Sequence, residues 1–299
     1  MKCIMVKVES FDSDEYRRQL HMLDPESIFF LQNWEGFWKN GKLLFRWSRF
    51  NAFDLLRMAF IILEDLIIFR PQVFFTENTY MVFLLGWYKK TIYVSTDWLN
   101  HPLYKYFDFV ACKLATVYSS APKSVNEERL KYWKRPLGKE VFYPYMIKRN
   151  FVFGPNRNSI LFLERPRKDS GLDIALNNGY FHVISYYPIP RREFKNLASQ
   201  CFCGINLITD PNSHSSRTFP ARIMEYLQFG LPPIITDNCG EASKIVRENF
   251  LGEVIEPTEE AFLEAVKKVY KLNSFYRNNI FNWLDDQPRI TVREILESV

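Results

Sequence analysis

The sequence predicts two tandem α/β units, each a parallel sheet wrapped by helices, and three features carry this. Short apolar runs alternate with amphipathic stretches along most of the chain, the pattern of βα units. The length of 299 residues suits two domains at ~150 residues each. A linker near residues 146–158 separates the two runs of alternation, so the expected domains are 1–150 and 151–274, followed by a terminal segment, 275–299.

In the first half, residues 3–8 read as a strand from their apolar and β-branched content. Residues 48–69 read as a helix, with Phe53, Leu56, Phe60, Leu63 and Ile67 at helical spacing and Pro71 as the stop. The charges Asp54, Arg57, Glu64 and Asp65 leave too short an apolar run to span a bilayer. Residues 72–76, 91–95 and 109–118 read as strands buried on both faces. Residues 124–133 read as a helix with Ser124 as N-cap and Glu127 completing a capping box, and 141–143 as a strand. In the second half the strands are 160–163, 181–186, 204–209 and 233–236. The helices are 171–177, 191–200, 220–229 and 258–272, with Gly230 closing the third and lysines the fourth.

Composition narrows the function. With 47% apolar and 24% charged residues the chain is neither disordered nor collagen-like. Only 11 glycines occur, and none form the G-x-G-x-x-G of a dinucleotide fold. Five scattered cysteines do not make a disulfide framework, and no secretory signal opens the chain, so a reducing, cytoplasmic setting is expected. Residues 1–150 hold 22 Lys and Arg against 16 Asp and Glu, a balance of +6; the remainder holds 17 against 18, or −1. The cations Arg46, Arg49, Lys89, Lys90, Lys131, Lys134 and Arg135 are interleaved with Trp38, Trp47, Trp87, Tyr88 and Trp133. That pattern suits either peripheral docking on an anionic membrane or a solvated basic face around core tryptophans.

Several chemistries fall away. Gly36 to Lys42 has the glycine spacing of a phosphate loop, but Leu43 stands where a hydroxyl is needed and Phe37 and Trp38 fill the loop. Cys201 and Cys203, taken to lie on one side of a strand, find no paired histidines and read as buried thiols. Neither G-x-S-x-G nor H-E-x-x-H is present. No metal, no other cofactor and no nucleic-acid partner is expected.

The informative stretch is 209–243, TDPNSHSSRTFPARIMEYLQFGLPPIITDNCGEAS. A strand ends, a polar loop follows, and Pro220 opens a helix at N1, so loop amides at a helix N-terminus offer a phosphate site. Ser216 and Arg217 add a hydroxyl and a bidentate cation. Glu225, one turn in, could accept two hydrogen bonds from vicinal ribose hydroxyls, or pair with Arg222 on the helix surface.

The run from Arg217 to Gly230, with Pro220, Arg222, Glu225, Tyr226 and Leu227, resembles the donor-site segment of GT-B glycosyltransferases, especially glycosyltransferase family 4. Of the two glutamates in that family's pattern, the second falls on Glu225 and the first on Arg217, a departure at the position that usually touches the donor sugar. Residues 160–173 resemble the family's strand with Gly-Arg and spaced Lys, placing Arg165 on the residue that binds donor phosphates and Lys168 near the expected lysine. Val94 to Trp98, 108–120 and Tyr143-Pro144 stand in the family's order.

The resemblance implies two Rossmann-like parallel-sheet domains facing a central cleft, with 275–299 packing back on the N-terminal one. It also implies transfer of a sugar from a nucleotide-diphosphate sugar, UDP- or GDP-linked, to a glycan or lipid-linked acceptor, with retention, the family's commoner outcome. Donor binding would involve Ser216, Arg217, Thr218, Phe219, Arg222, Glu225 and Tyr187. Arg165 and Lys168 would act on the diphosphate, and Glu77 and Asp97, at expected strand ends, on the acceptor or as structural caps. A GT-B nucleotide-sugar epimerase and a non-catalytic GT-B-like subunit are the alternatives.

Overall fold

The computed structural model describes residues 2–8, 27–32, 36–47, 51–87, 90–95, 101–120, 123–134, 137–140, 158–163, 170–177, 179, 181–185, 191–213, 216 and 220–287. The chain divides into two units, Met1–Pro144 with Arg289–Val299, and Tyr145–Pro288.

The first unit runs β1 (Cys3–Val8), β2 (Ile28–Gln32), β3 (Gly36–Lys39), β4 (Lys42–Arg46), α1 (Ala52–Phe69), β5 (Val73–Thr76), α2 (Thr79–Leu85), β6 (Lys90–Ser95), α3 (Pro102–Leu114), β7 (Val117–Ser120) and α4 (Lys123–Trp133). Its sheet has the order β4-β3-β2-β1-β5-β6-β7. β2, β1, β5, β6 and β7 are parallel, and β3 and β4 extend the β2 edge as antiparallel strands. α1 starts at a capping box: the Asn51 side chain accepts from the amides of Phe53 and Asp54, and Asp54 accepts from the Asn51 amide. It buries Met58, Ala59, Ile62 and Leu66 against Ile4, Val6, Phe30 and Phe74 of the sheet.

The second unit runs β8 (Ser159–Phe162), α5 (Leu172–Leu176), β9 (His182–Ser185), α6 (Arg191–Gln200), β10 (Cys201–Asn206), α7 (Ala221–Gln228), β11 (Pro233–Thr236), a 3₁₀ turn (Asp237–Cys239), α8 (Glu241–Glu248), β12 (Glu253–Ile255), α9 (Glu259–Lys271) and α10 (Asn273–Asp286). Its strands are all parallel in the order β12-β11-β10-β8-β9. Thr258 caps α9, its hydroxyl accepting from the Ala261 amide.

Four local expectations are corrected. Residues 109–118 are not one strand: Pro102 starts α3, whose buried Asp108, Ala111 and Cys112 stand at helical spacing, and the strand begins only at Val117. Ser124 lies inside α4, which starts at Lys123, and Pro220 is the extended N-cap of α7. Cys201 and Cys203 do not share a face, because a bulge between them shifts the register. Cys201 joins Leu161 and Tyr226, and Cys203 joins Phe162 and Phe262; all five thiols are free and buried. α10 occupies the first part of the 275–299 segment and buries Tyr276, Ile280 and Leu284, at i, i+4 and i+8, in the second unit's own core. Its remainder, 288–299, lies outside the described residues, as does the expected strand at 141–143.

Candidate functional site

In an open parallel sheet, ligands bind beyond the carboxyl ends of the strands where the strand order reverses. In the second unit that point lies between β8 and β10, because β9 flanks β8 on one side and β10 on the other. One tyrosine ties this point together. The Tyr226 hydroxyl accepts from the Leu163 amide at 3.0 Å and donates to the Ile205 carbonyl at 3.0 Å, so α7 is pinned to both strand ends. The ring lies against Gly204, where a Cβ would come within 2.4 Å of it; glycine is what lets α7 approach.

With Ile223, Tyr226 and Leu227 turned into the core, Arg222 and Glu225 are left half-buried beside one another along the helix. Arg222 Nη1 donates to Asn206 Oδ1 at 3.4 Å. Asn206 closes β10 and is fully buried, yet its Nδ2 finds no hydrogen-bond partner among the described residues. A buried, unpaired amide donor costs ~1–3 kcal/mol, and at a strand end over which ligands bind it is a group that a ligand oxygen would satisfy.

The loop after β10 is held from the neighbouring strand. Thr236 accepts from the Ile208 amide at 3.0 Å and donates to its carbonyl at 2.8 Å, and Asn238 Nδ2 donates to the same carbonyl at 3.0 Å. The Cys239 thiol donates to the Asn206 carbonyl at 3.3 Å, and burial pushes its pKa up to about 11. Gly240 follows at φ 57°, ψ −130°, backbone that a side chain would strain. Further along, Ser216 Oγ lies 2.6 Å from the Pro211 carbonyl and 2.7 Å from the Ser213 carbonyl. Its one proton is used within the loop, which leaves the oxygen to a ligand only as an acceptor.

The structure therefore brings Arg222 to the unanticipated Asn206, keeps Glu225 one turn further along the same helix, and gives Ser216 a turn-forming role. Arg165, Lys168, Tyr187, Arg217, Thr218 and Phe219 lie outside the described residues. In the first unit the reversal falls between β1 and β5, and Glu77 stands at it: its amide donates to the Val6 carbonyl at 3.0 Å. Next to it, buried Asn78 caps α2 and donates to Gln32 at 2.7 Å. Asp97 lies outside the described residues. Among the described residues no three His, Cys, Asp or Glu side chains come together as metal ligands do, and no helix is long and apolar enough to cross a membrane.

No protein-family model matches the sequence, and no curated protein matches it. Solved structures do. A glycosyltransferase from Rickettsia africae matches with a TM-score of 0.62 at 14% identity, over 99% of this chain and 96% of that one. HepE from Anabaena, in complex with UDP, matches with a TM-score of 0.62 at 10% identity, over 100% and 98%. The chain has the GT-B fold. GT-B architecture is not confined to transferases: the UDP-GlcNAc 2-epimerase of Methanocaldococcus jannaschii matches with a TM-score of 0.54 at 9% identity, over 89% of this chain and 92% of that one.

Proposed function

We propose that this GT-B protein is a family 4-like glycosyltransferase that moves a sugar from a nucleoside-diphosphate sugar to an acceptor hydroxyl, with retention and without a bound metal. The observation that supports it most is the unpaired Asn206 amide beside Arg222, at the strand reversal of the second sheet. In this reading Glu225 accepts from the ribose hydroxyls, and Arg222 and Asn206 donate to donor oxygens. Arg165, Lys168 and Arg217 meet the diphosphate, with Thr218, Phe219 and Tyr187 lining the donor. The bond from the anomeric carbon to the phosphate oxygen breaks, a bond to the acceptor oxygen forms, and the acceptor proton passes to the leaving phosphate oxygen. Negative charge builds on the leaving diphosphate, and fixed cations and amides stabilise it. Glu77 and Asp97 orient the acceptor. UDP, the ligand of HepE, is the first nucleotide to try.

The acceptor is a glycan or a lipid-linked sugar met at an anionic membrane surface, a reading supported by exposed Arg46, Lys90, Lys131 and Lys134 and by exposed Trp87. The epimerase among the similar structures favours one second reading, in which the donor is consumed with no acceptor present.

Calorimetry and a donor-consumption assay test this. UDP or GDP binds, Glu225→Ala weakens binding by ~1–3 kcal/mol, and consumption requires acceptor and survives EDTA. Consumption without acceptor selects the epimerase, loss in EDTA removes metal independence, and absence of any nucleotide binding overturns the proposal.

A further inference from the structure

An outer-layer helix normally has one apolar stripe and one polar face, but α1 has two apolar stripes. Opposite its buried side, Phe53 (74% exposed), Leu56, Phe60 (70%) and Ile67 (53%) face outward. With half-buried Leu63 among them, they step by three, four, three and four residues. This is the spacing of a heptad seam, ~21 Å long at ~1.5 Å per residue. Packing on the sheet needs only the first stripe; a second at this period matches another helix.

Charge identifies the occupant. Arg57 and Glu64 each follow a seam residue by one position and flank the seam on the same side, two turns apart, beyond i,i+4 pairing. Both are exposed, and among the described residues neither forms an ion pair; Arg57 lays its guanidinium 4.1 Å from the centre of the Phe45 ring. When a second α1 lies antiparallel across a two-fold axis at Phe60, each Arg57 meets Glu64 of the other copy. A face for anionic lipid would carry net positive charge. Here Asp54, Arg57, Glu64 and Arg70 cancel.

We propose that the outer face of α1 is an isologous interface between two copies of this chain, centred on Phe60 and closed by two Arg57–Glu64 ion pairs. It stands independently of the sugar-transfer reading.

Sedimentation of the full chain across a concentration series tests it. The mass doubles as concentration rises, and Phe60→Glu stays monomeric where the native chain is dimeric. Arg57→Glu and Glu64→Arg each weaken the dimer at least ~tenfold. The combined variant recovers it, since the reversed charges still face each other. Should Phe60→Glu not fold, Phe60→Cys decides: it cross-links two chains under mild oxidation, the native thiols being buried. A native chain that stays monomeric throughout, a combined variant no better than the single ones, or a monomer that uses Phe60 to bind anionic vesicles overturns the proposal.

Discussion

Both units bury polar side chains under their helices, but the cluster around Arg129 in the first is closed, whereas Asn206 in the second leaves a donor open. In the first unit Arg129 donates to Asp108 through Nε at 2.6 Å and Nη2 at 2.9 Å, and the Tyr93 hydroxyl donates to Asp108 at 2.7 Å. Thr79 Oγ1 lies 2.8 Å from that hydroxyl. The four residues come from α4, α3, β6 and α2, and all are buried, so the network locks three helices onto one strand. In the second unit Asn206 keeps an unpaired donor under α7. A closed buried network specifies packing, whereas an open one at a strand end waits for a partner from outside.

The largest effect comes from breaking the closed network. Burial by itself lowers the Arg129 pKa, but Asp108 beside it, together with Cys112 and Tyr93, pushes the value above the ordinary range, so Arg129 stays charged. Arg129→Ala strands the Asp108 carboxylate and should cost ~3–5 kcal/mol in urea unfolding. Replacing both residues by apolar side chains of similar volume should recover most of that. If Arg129→Ala costs no more than a surface substitution, ~0.5 kcal/mol, the network does not lock the first unit.

How far the sequence revealed these two regions depends on the local signal. β1 and β11 were readable to the residue, because short β-branched runs bounded by breakers have one interpretation. The β3–β4 hairpin turns at Asn40-Gly41, with φ of 47° and 82°, a strong hairpin signal that the phosphate-loop spacing of Gly36 and Gly41 obscures. α2 is seven residues long, too short for periodicity to show, and only Asn78 as a cap could have marked it. In α3 the apolar run 109–112 hid a helical spacing. At the site, Glu225 and Arg222 stood out through spacing and resemblance. Asn206 did not, since an asparagine at a strand end carries no sequence mark of burial. The Arg129–Asp108 pair, 21 residues apart, likewise has no short-range signature.

A smaller effect separates the second unit by pH. Burial raises the Cys239 pKa from 9.0 to about 11. Above pH 9 the unfolded thiol ionises first, so the folded state's advantage is complete below pH 9 and is lost as pH rises through about 11. That loss is on the order of 3 kcal/mol, and Cys239→Ala should flatten the decline of stability between pH 9 and 11 by that amount. An unchanged slope would mean that Cys239 is not held neutral by burial.

The smallest stability effect sharpens the comparison most. Asn206→Leu removes a donor that has no partner and an acceptor reached by Arg222 only at 3.4 Å. Removing the unsatisfied amide also removes its burial cost, so urea unfolding should show no loss of stability, in contrast to Arg129→Ala. Nucleoside-diphosphate-sugar affinity should nevertheless fall by roughly 1–2 kcal/mol, the worth of a hydrogen bond to a charged or polar ligand oxygen. Stability and affinity falling together would make Asn206 a packing residue like those of the first unit. Affinity falling alone would mark its amide as a donor kept open for the ligand.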